Sequence, residues 1–211
     1  MSHMIIRQCV RKACSFRFPA SDDHPGAEIC PKCGTNTIIV ANYPQFNTEI
    51  NSGDSTALHL EAFLDNLRSV FNVGSIFRSA DGCGVKCIHL GGITPSPSHP
   101  RMAKTALGAD EHIHWEQHWD GVDAIRQLKK SNYRVIGLEY TDTSSSIFEN
   151  QFTGTTPYVL VVGNENYGID PGILADCDQV VHIPMAGFKE SLNVAIAFSI
   201  AAYWMAFGVR G

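Results

Sequence analysis

The sequence predicts an α/β domain with a mostly parallel sheet, preceded by a small module built around a metal. Three observations carry this. Short apolar runs alternate with helix-like stretches from Leu58 onward, small or glycine-rich segments follow several of those runs, and four of the seven cysteines fall within the first 33 residues. With 211 residues, 44% of them hydrophobic and 18% charged, the chain can bury a core and falls outside the disordered class.

The cysteines come first in the chain. Cys9 and Cys14 form one pair, and Cys30-Pro-Lys-Cys33-Gly forms a tighter one after a fifteen-residue gap. Two close pairs joined by a short loop suit four thiolates around one tetrahedral ion. A segment of about 40 residues buries too little to fold unaided, so the ion would supply the missing stability. Zinc is the expected occupant, with iron in a rubredoxin-like site as the alternative. Because the protein fills all four positions, the site reads as structural. Residues 1–41 are therefore assigned to a zinc-ribbon-like module, and the polar, aperiodic stretch 42–57 to a linker.

Charge is unevenly divided. The whole chain has a net charge of −5, whereas residues 1–40 carry five Lys and Arg against three acidic side chains. The remainder is acidic, which excludes a uniformly basic nucleic-acid binder. Arg7, Arg11, Lys12 and Arg17 flank the first cysteine pair; they suit phosphate contacts or a solvated surface equally. The apolar tail 192–209 is interrupted by Ser199 and reads as a buried helix, and no secretory leader is evident. A soluble, cytoplasmic protein without membrane contact is expected.

The main domain, 58–211, reads as follows. LEAFLDNL is a strand, and SIFRSADGC begins a helix. VKCIHLGG is a strand closed by two glycines, a short helix lies near 101–108, and HIHWEQH is strand-like. In DGVDAIRQLKKS, Val122, Ile125 and Leu128 fall at helical spacing, with Asp120 at the start and Lys129 and Lys130 at the end, as the helix dipole prefers. YRVIGLEYT, YVLVVGNE and QVVHIPM are apolar enough to be buried on both faces of a parallel sheet. A long helix from about Ser191 closes the chain. Ligands of such sheets bind beyond the carboxyl ends of strands, where Gly91-Gly92, GNENYG (163–168) and IPMAG (183–187) fall.

NVGSIFRSADGCGV (72–85), LVVGNENYGI (160–169) and IPMAGFKESLNVAIAFSIAAY (183–203) resemble, in order and spacing, the three motifs of the SpoU/TrmH family of SPOUT RNA methyltransferases. PSHPRMAKTALGADE resembles the family's connecting segment. The resemblance implies a trefoil-knotted α/β domain, a homodimer packed through the closing helix, and S-adenosylmethionine as methyl donor. It implies transfer to a ribose 2′-hydroxyl of tRNA or rRNA. By position, Gly163, Ile183 and Leu192 match donor-contacting residues, with Met185 and Leu138 adding apolar contact. Arg78 matches the arginine to which activation of the hydroxyl is assigned. Since a guanidinium keeps its proton, orientation of the hydroxyl and stabilisation of developing alkoxide are the roles expected of it. Asn72, Glu165, Ser191 and Asn193 match the remaining polar positions, Glu165 as a holder of Arg78 or of a ribose hydroxyl.

Position alone leaves other readings open. Asn72 and Ser191 lie where helices are expected to begin and suit caps equally well, and Arg78 suits a solvated helix face. Asn166 stands where the family usually has Gly, and Asn best tolerates a left-handed backbone. Arg101 and Lys104 are the candidates for RNA phosphates in the main domain. His112, His114 and His118 could suggest a metal, but without a matching carboxylate pattern they read as a surface or interface strand, and Cys83, Cys87 and Cys177 read as core. A non-catalytic RNA-binding protein on the same fold is the alternative function. A dinucleotide-binding oxidoreductase would need a GxGxxG after the first strand, which is missing.

Overall fold

The computed structural model describes residues 3–44 and 58–208; most of the expected linker lies outside them. The chain divides into two compact units, residues 1–53 and 54–211. In the first, β1 (Met4–Cys9), β2 (Arg17–Ser21) and β3 (Thr37–Asn42) form an antiparallel sheet in the order β2-β1-β3. The register between β1 and β3 shifts at Ile6/Arg7.

The second unit alternates strands and helices. Its elements are β4 (Leu60–Asp65), α1 (Val70–Cys83), β5 (Cys87–Gly91), α2 (Ala103–Ala106), α3 (Ala109–His112), β6 (His114–His118), α4 (Gly121–Lys130), β7 (Arg134–Leu138), β8 (Ser145–Ser146), β9 (Tyr158–Val162), α5 (Pro171–Asp176), β10 (Gln179–His182) and α6 (Val194–Phe207). The seven strands run in the order β6-β5-β4-β9-β7-β10-β8, every pair parallel. Period-two alternation sorts the side chains. Leu60, Ala62 and Leu64 join the core formed with α1 and α6, while Phe63, Val159 and Val161 join the one that includes Ile125 of α4 and Ile173 of α5.

Burial on both faces holds for β9, but β6 is a half-exposed edge strand. α5 and the two-residue β8 are too short to leave a period in the sequence. The helix ends follow local chemistry. Ser69 caps α1 by accepting from the Asn72 N–H, Gly84 closes it with φ 77°, and Asp120 caps α4 by accepting from the Asp123 N–H. Gly74 permits the contact of α1 with α2, because a Cβ there would lie 2.1 Å from Thr105 Oγ1. α6 is apolar around most of its circumference, yet no helix among the described residues is long and apolar enough to cross a membrane.

Candidate functional site

The carboxyl ends of β4, β9, β7 and β10 lie side by side and carry the motif loops. After β9 the chain turns back on itself, the Asn164 N–H donating to Gly168 O and the Gly168 N–H to Asn164 O, both at 2.9 Å. Gly163 makes this turn possible, since a Cβ would stand 2.1 Å from the Gly168 carbonyl carbon. The Asn166 N–H donates to Asn164 Oδ1 at 2.9 Å. Asn166 is absent from the non-glycine residues of positive φ, which are Ser15, Asn66, Leu107 and Asn132. The departure from glycine therefore needs no left-handed backbone.

That turn projects Glu165 onto the start of α1. Its carboxylate accepts from the Arg68 N–H (3.0 Å), the Ser69 N–H (3.1 Å) and Asn72 Nδ2 (2.9 Å). Desolvation opposes the charge, but these donors, Arg68 foremost, outweigh it and hold the carboxyl below its ordinary range. Asn72 in turn accepts from Asn193 Nδ2 at 3.1 Å, and Asn193 Oδ1 accepts from the Ala195 N–H, capping α6. Three residues separated by 28 to 121 positions thus form one hydrogen-bonded set that joins the three motifs.

Two of the readings left open by position are narrowed. The helix caps are Ser69 and Asn193; Asn72 is the third residue of α1, and Ser191 is exposed two residues before a cap. Glu165 holds the start of α1 and Asn72, and among the described residues no hydrogen bond or ion pair joins it to Arg78. Arg78 is exposed on α1 and lines a separate open cleft of about 480 Å³ with Ser75, Ser79, Lys104, Thr105 and Tyr203. Arg101 is exposed just before α2.

Leu138 and Ile183 extend from the neighbouring strands β7 and β10 and pack against the main core. Leu192 is half-buried and Met185 more open. Among the described residues, 184–192 make no hydrogen bond to the rest of the chain, so the loop's backbone groups are open to solvent or ligand. Apolar side chains together with a loop of free backbone groups are chemistry that suits an adenosine-bearing donor.

Beneath the loops lie polar supports that residue pattern alone did not mark. Asn164 Nδ2 donates to Asn66 O at 2.6 Å, the Asp170 N–H donates to Asp65 Oδ2 at 2.7 Å, and Thr94 Oγ1 accepts from the Leu67 N–H at 3.0 Å. They tie the ends of β4, β5 and β9 together. The DNL after the first strand was the available signal, as Asp and Asn favour turns.

In the first unit the sulfurs of Cys9, Cys14, Cys30 and Cys33 lie within 4.8 Å of one another, with Cys9 and Cys33 3.5 Å and Cys14 and Cys30 3.9 Å apart. Sulfurs at about 2.3 Å from a tetrahedral zinc stand roughly 3.8 Å apart, so the four fit that ion. Gly34, at φ 71°, donates its N–H to Cys30 O and turns the second knuckle. The Thr35 hydroxyl, 3.4 Å from Cys33 Sγ, and then the Thr35 N–H draw the Cys33 thiol down to about 6.

The basic residues here divide. Arg11, Lys12 and Arg17 are exposed. Arg7, 9% exposed, donates from Nε to Thr37 Oγ1 (2.8 Å) and from its guanidinium to Thr37 O (3.2 Å). Its guanidinium braces β1 against β3, which withdraws it from the phosphate candidates.

A model of the SpoU rRNA methylase family matches residues 59–203. The tRNA (guanosine(18)-2′-O)-methyltransferase of Escherichia coli K12 is 29% identical over 68% of this chain and 61% of its own length. A 23S rRNA (guanosine-2′-O-)-methyltransferase from a Burkholderia species is 33% identical over 66% of this chain and 56% of its own. The crystal structure of an AdoMet-bound rRNA methyltransferase from Sinorhizobium meliloti superposes with a TM-score of 0.65 at 28% identity, covering 69% of this chain and 54% of that one. The chain thus spans less than two thirds of the length of each of these relatives.

Proposed function

From the premise that this chain belongs to the SpoU rRNA methylase family, we propose that it transfers a methyl group from S-adenosylmethionine to a ribose 2′-hydroxyl of tRNA or rRNA. One observation carries the reading: Asn72, Glu165 and Asn193, from three distant motifs, meet in one hydrogen-bonded set beside an open, partly apolar loop. The relatives are named for 2′-O-methylation of tRNA or rRNA, and one is AdoMet-bound, which supports the substrate class and the donor.

When bound, the donor supplies an electrophilic methyl on a sulfonium. Leu138, Ile183, Met185 and Leu192 would hold its apolar parts, and Gly163 keeps the neighbouring turn tight enough to leave them room. Glu165 and Asn72 position the start of α1 against α6. A guanidinium is a poor base, so the roles assigned to Arg78 are to orient the hydroxyl and to stabilise negative charge growing on its oxygen. Ser191, exposed near Asn193, is a second group for the hydroxyl. Lys104 lines the Arg78 cleft and Arg101 is exposed nearby in sequence, which suits both to RNA phosphates.

Exposed Ile196, Tyr203 and Phe207 on α6, together with Phe71, support a homodimer closed through this helix. Tyr203 also lines the Arg78 cleft, so such a dimer would bring a partner surface to that cleft. β10 inserts between β7 and β8, within the span of the 139–157 connection, and this supports the trefoil knot that the family implies. The four cysteines are assigned a structural zinc, and Arg11, Lys12 and Arg17 an RNA grip. An RNA substrate goes with a cytoplasmic location.

The test uses tritiated S-adenosylmethionine and total RNA from cells lacking the gene, with wild type and Arg78→Ala. Label is expected in a 2′-O-methylnucleoside, reduced by about 100-fold or more in the variant. Fractionating the RNA then separates tRNA from rRNA. A folded protein that binds RNA but neither binds the donor nor labels RNA would establish the non-catalytic alternative instead. Neutralising Arg11, Lys12 and Arg17 together should weaken RNA binding and flatten its salt dependence; unchanged binding would remove the ribbon from the reading.

A further inference from the structure

Away from the motif loops, the second unit carries a connected polar patch where β4, β5 and β6 run side by side. His89 on β5 lies opposite Glu116 on β6, and His118 is two residues further along. His89 Nδ1 is 2.9 Å from His118 Nε2, and Glu116 Oε2 is 3.6 Å from each of these nitrogens. The far side of the His89 ring is already committed, with Nε2 2.8 Å from Glu61 Oε2. Glu61 is buried and also accepts from the Tyr133 hydroxyl at 2.7 Å. A carboxylate at Nε2 keeps the proton there and leaves the Nδ1 lone pair facing His118 and Glu116. The Phe63 ring stacks on both imidazoles, with centroids 6.2 and 6.1 Å away, and holds their planes.

In the absence of an ion, His118 can donate to His89, but Glu116 stands too far from either nitrogen for a hydrogen bond. An ion at about 2.1 Å from each donor places neighbouring donors about 3.0–3.4 Å apart, close to the observed spacing. Two imidazoles and a carboxylate, one imidazole backed by an outer carboxylate, is the donor chemistry of first-row transition metals rather than of magnesium or calcium. His118 and Glu116 reach solvent, so an ion can enter and keep water in its open positions. The overlapping trio Glu61, Cys87 and His89 is buried throughout and offers no such entry.

We propose that His89, Glu116 and His118 form a binding site for a zinc-class divalent transition metal, with Glu61 as the outer carboxylate orienting His89. The ion would staple the edge strand β6 to β5. This site is separate from the cysteine cluster and does not depend on the methyltransferase reading.

The test is a Co²⁺ titration of the full, zinc-loaded chain, followed by visible absorption and metal analysis. Thiolate-to-cobalt charge transfer reports any ion that enters the cysteine cluster instead. One additional Co²⁺ per chain, without thiolate absorption or zinc release, is the expected result. Binding should be lost in His118→Ala and in Glu116→Gln, a half-exposed position where folding is not at stake. It should weaken about 10–100-fold in Glu61→Gln and persist in Cys87→Ala. No saturable binding by the wild type, or binding unchanged in both His118→Ala and Glu116→Gln, overturns the proposal. Loss in Cys87→Ala alone overturns the ligand set.

Discussion

Between Met4 and Asn42 the buried apolar side chains are Ile5, Ala27, Cys9 and Cys30, whereas Ile29, Ile38 and Ile39 stay exposed. Between Leu58 and Gly208, by contrast, Phe63, Phe77, Phe198, Leu60, Leu64 and Met102 are all fully buried. The first unit is too small to enclose a core, so its order rests on four cysteines, on Arg7 bridging to Thr37, and on backbone pairing. The second folds on apolar area and can place polar side chains inside it, as the Glu61–His89 pair does. Size decides which physical interaction organises each unit.

The largest effect should come from removing the metal proposed for the four cysteines of the first unit. A strong chelator, or Cys30→Ser, should abolish amide protection across residues 3–44 while leaving that of β4, β9 and β7 in the second unit intact. Structural zinc sites of this kind contribute about 10–16 kcal/mol to their domains. Equal protection in the first unit with and without metal would erase the contrast. The reciprocal break is Phe198→Ala, which should cost the second unit about 3–5 kcal/mol and leave the first unit unchanged; separate denaturant transitions read both.

Acid should sharpen the contrast further. Desolvation opposes the charge on Glu61, but hydrogen bonds from His89, His59 and Tyr133 outweigh it and bring the carboxyl down to about 2. A carboxyl lowered on folding stabilises the protein above its unfolded value and loses that contribution as pH falls through the folded one. Stability of the second unit should therefore decline between about pH 5 and pH 2, by roughly 2–3 kcal/mol from this group, and Glu61→Gln should flatten that slope in urea melts. The smallest effect belongs to Arg7→Met, which removes two hydrogen bonds to Thr37 and should cost the first unit about 1–3 kcal/mol. Its RNA affinity should not change, whereas a drop comparable to that for Arg11→Ala would return Arg7 to the RNA surface.

Much of this molecule was legible in the chain itself. The alternating strands and helices carry their own periods, as in β9 and α4, the cysteine spacing pointed to the cluster of four sulfurs, and the three ordered motifs pointed to the family. These are local signals: a run of Tyr158–Val162 or a Cys-x-x-Cys-Gly needs no partner to be recognised. The errors arose where a role depends on what stands opposite. Arg7 looked like a phosphate ligand until β3 closed over it, and Glu165 was offered to Arg78 although the fold presents it with the start of α1. The capping reading of Asn72 and Ser191 fell because Ser69 and Asn193 hold those positions, and any of these small polar side chains can cap a helix.

Sequence by itself determined the types of the longer elements and the motifs that identify the family, because backbone propensity and burial period act over a few neighbouring positions. Only the tertiary structure decided that Asn72, Glu165 and Asn193 share one hydrogen-bonded set and that His89 and His118 face one another. The strand order β6-β5-β4-β9-β7-β10-β8 sets those meetings. That order is settled by packing both faces of a twisted sheet, a choice that couples residues more than a hundred positions apart.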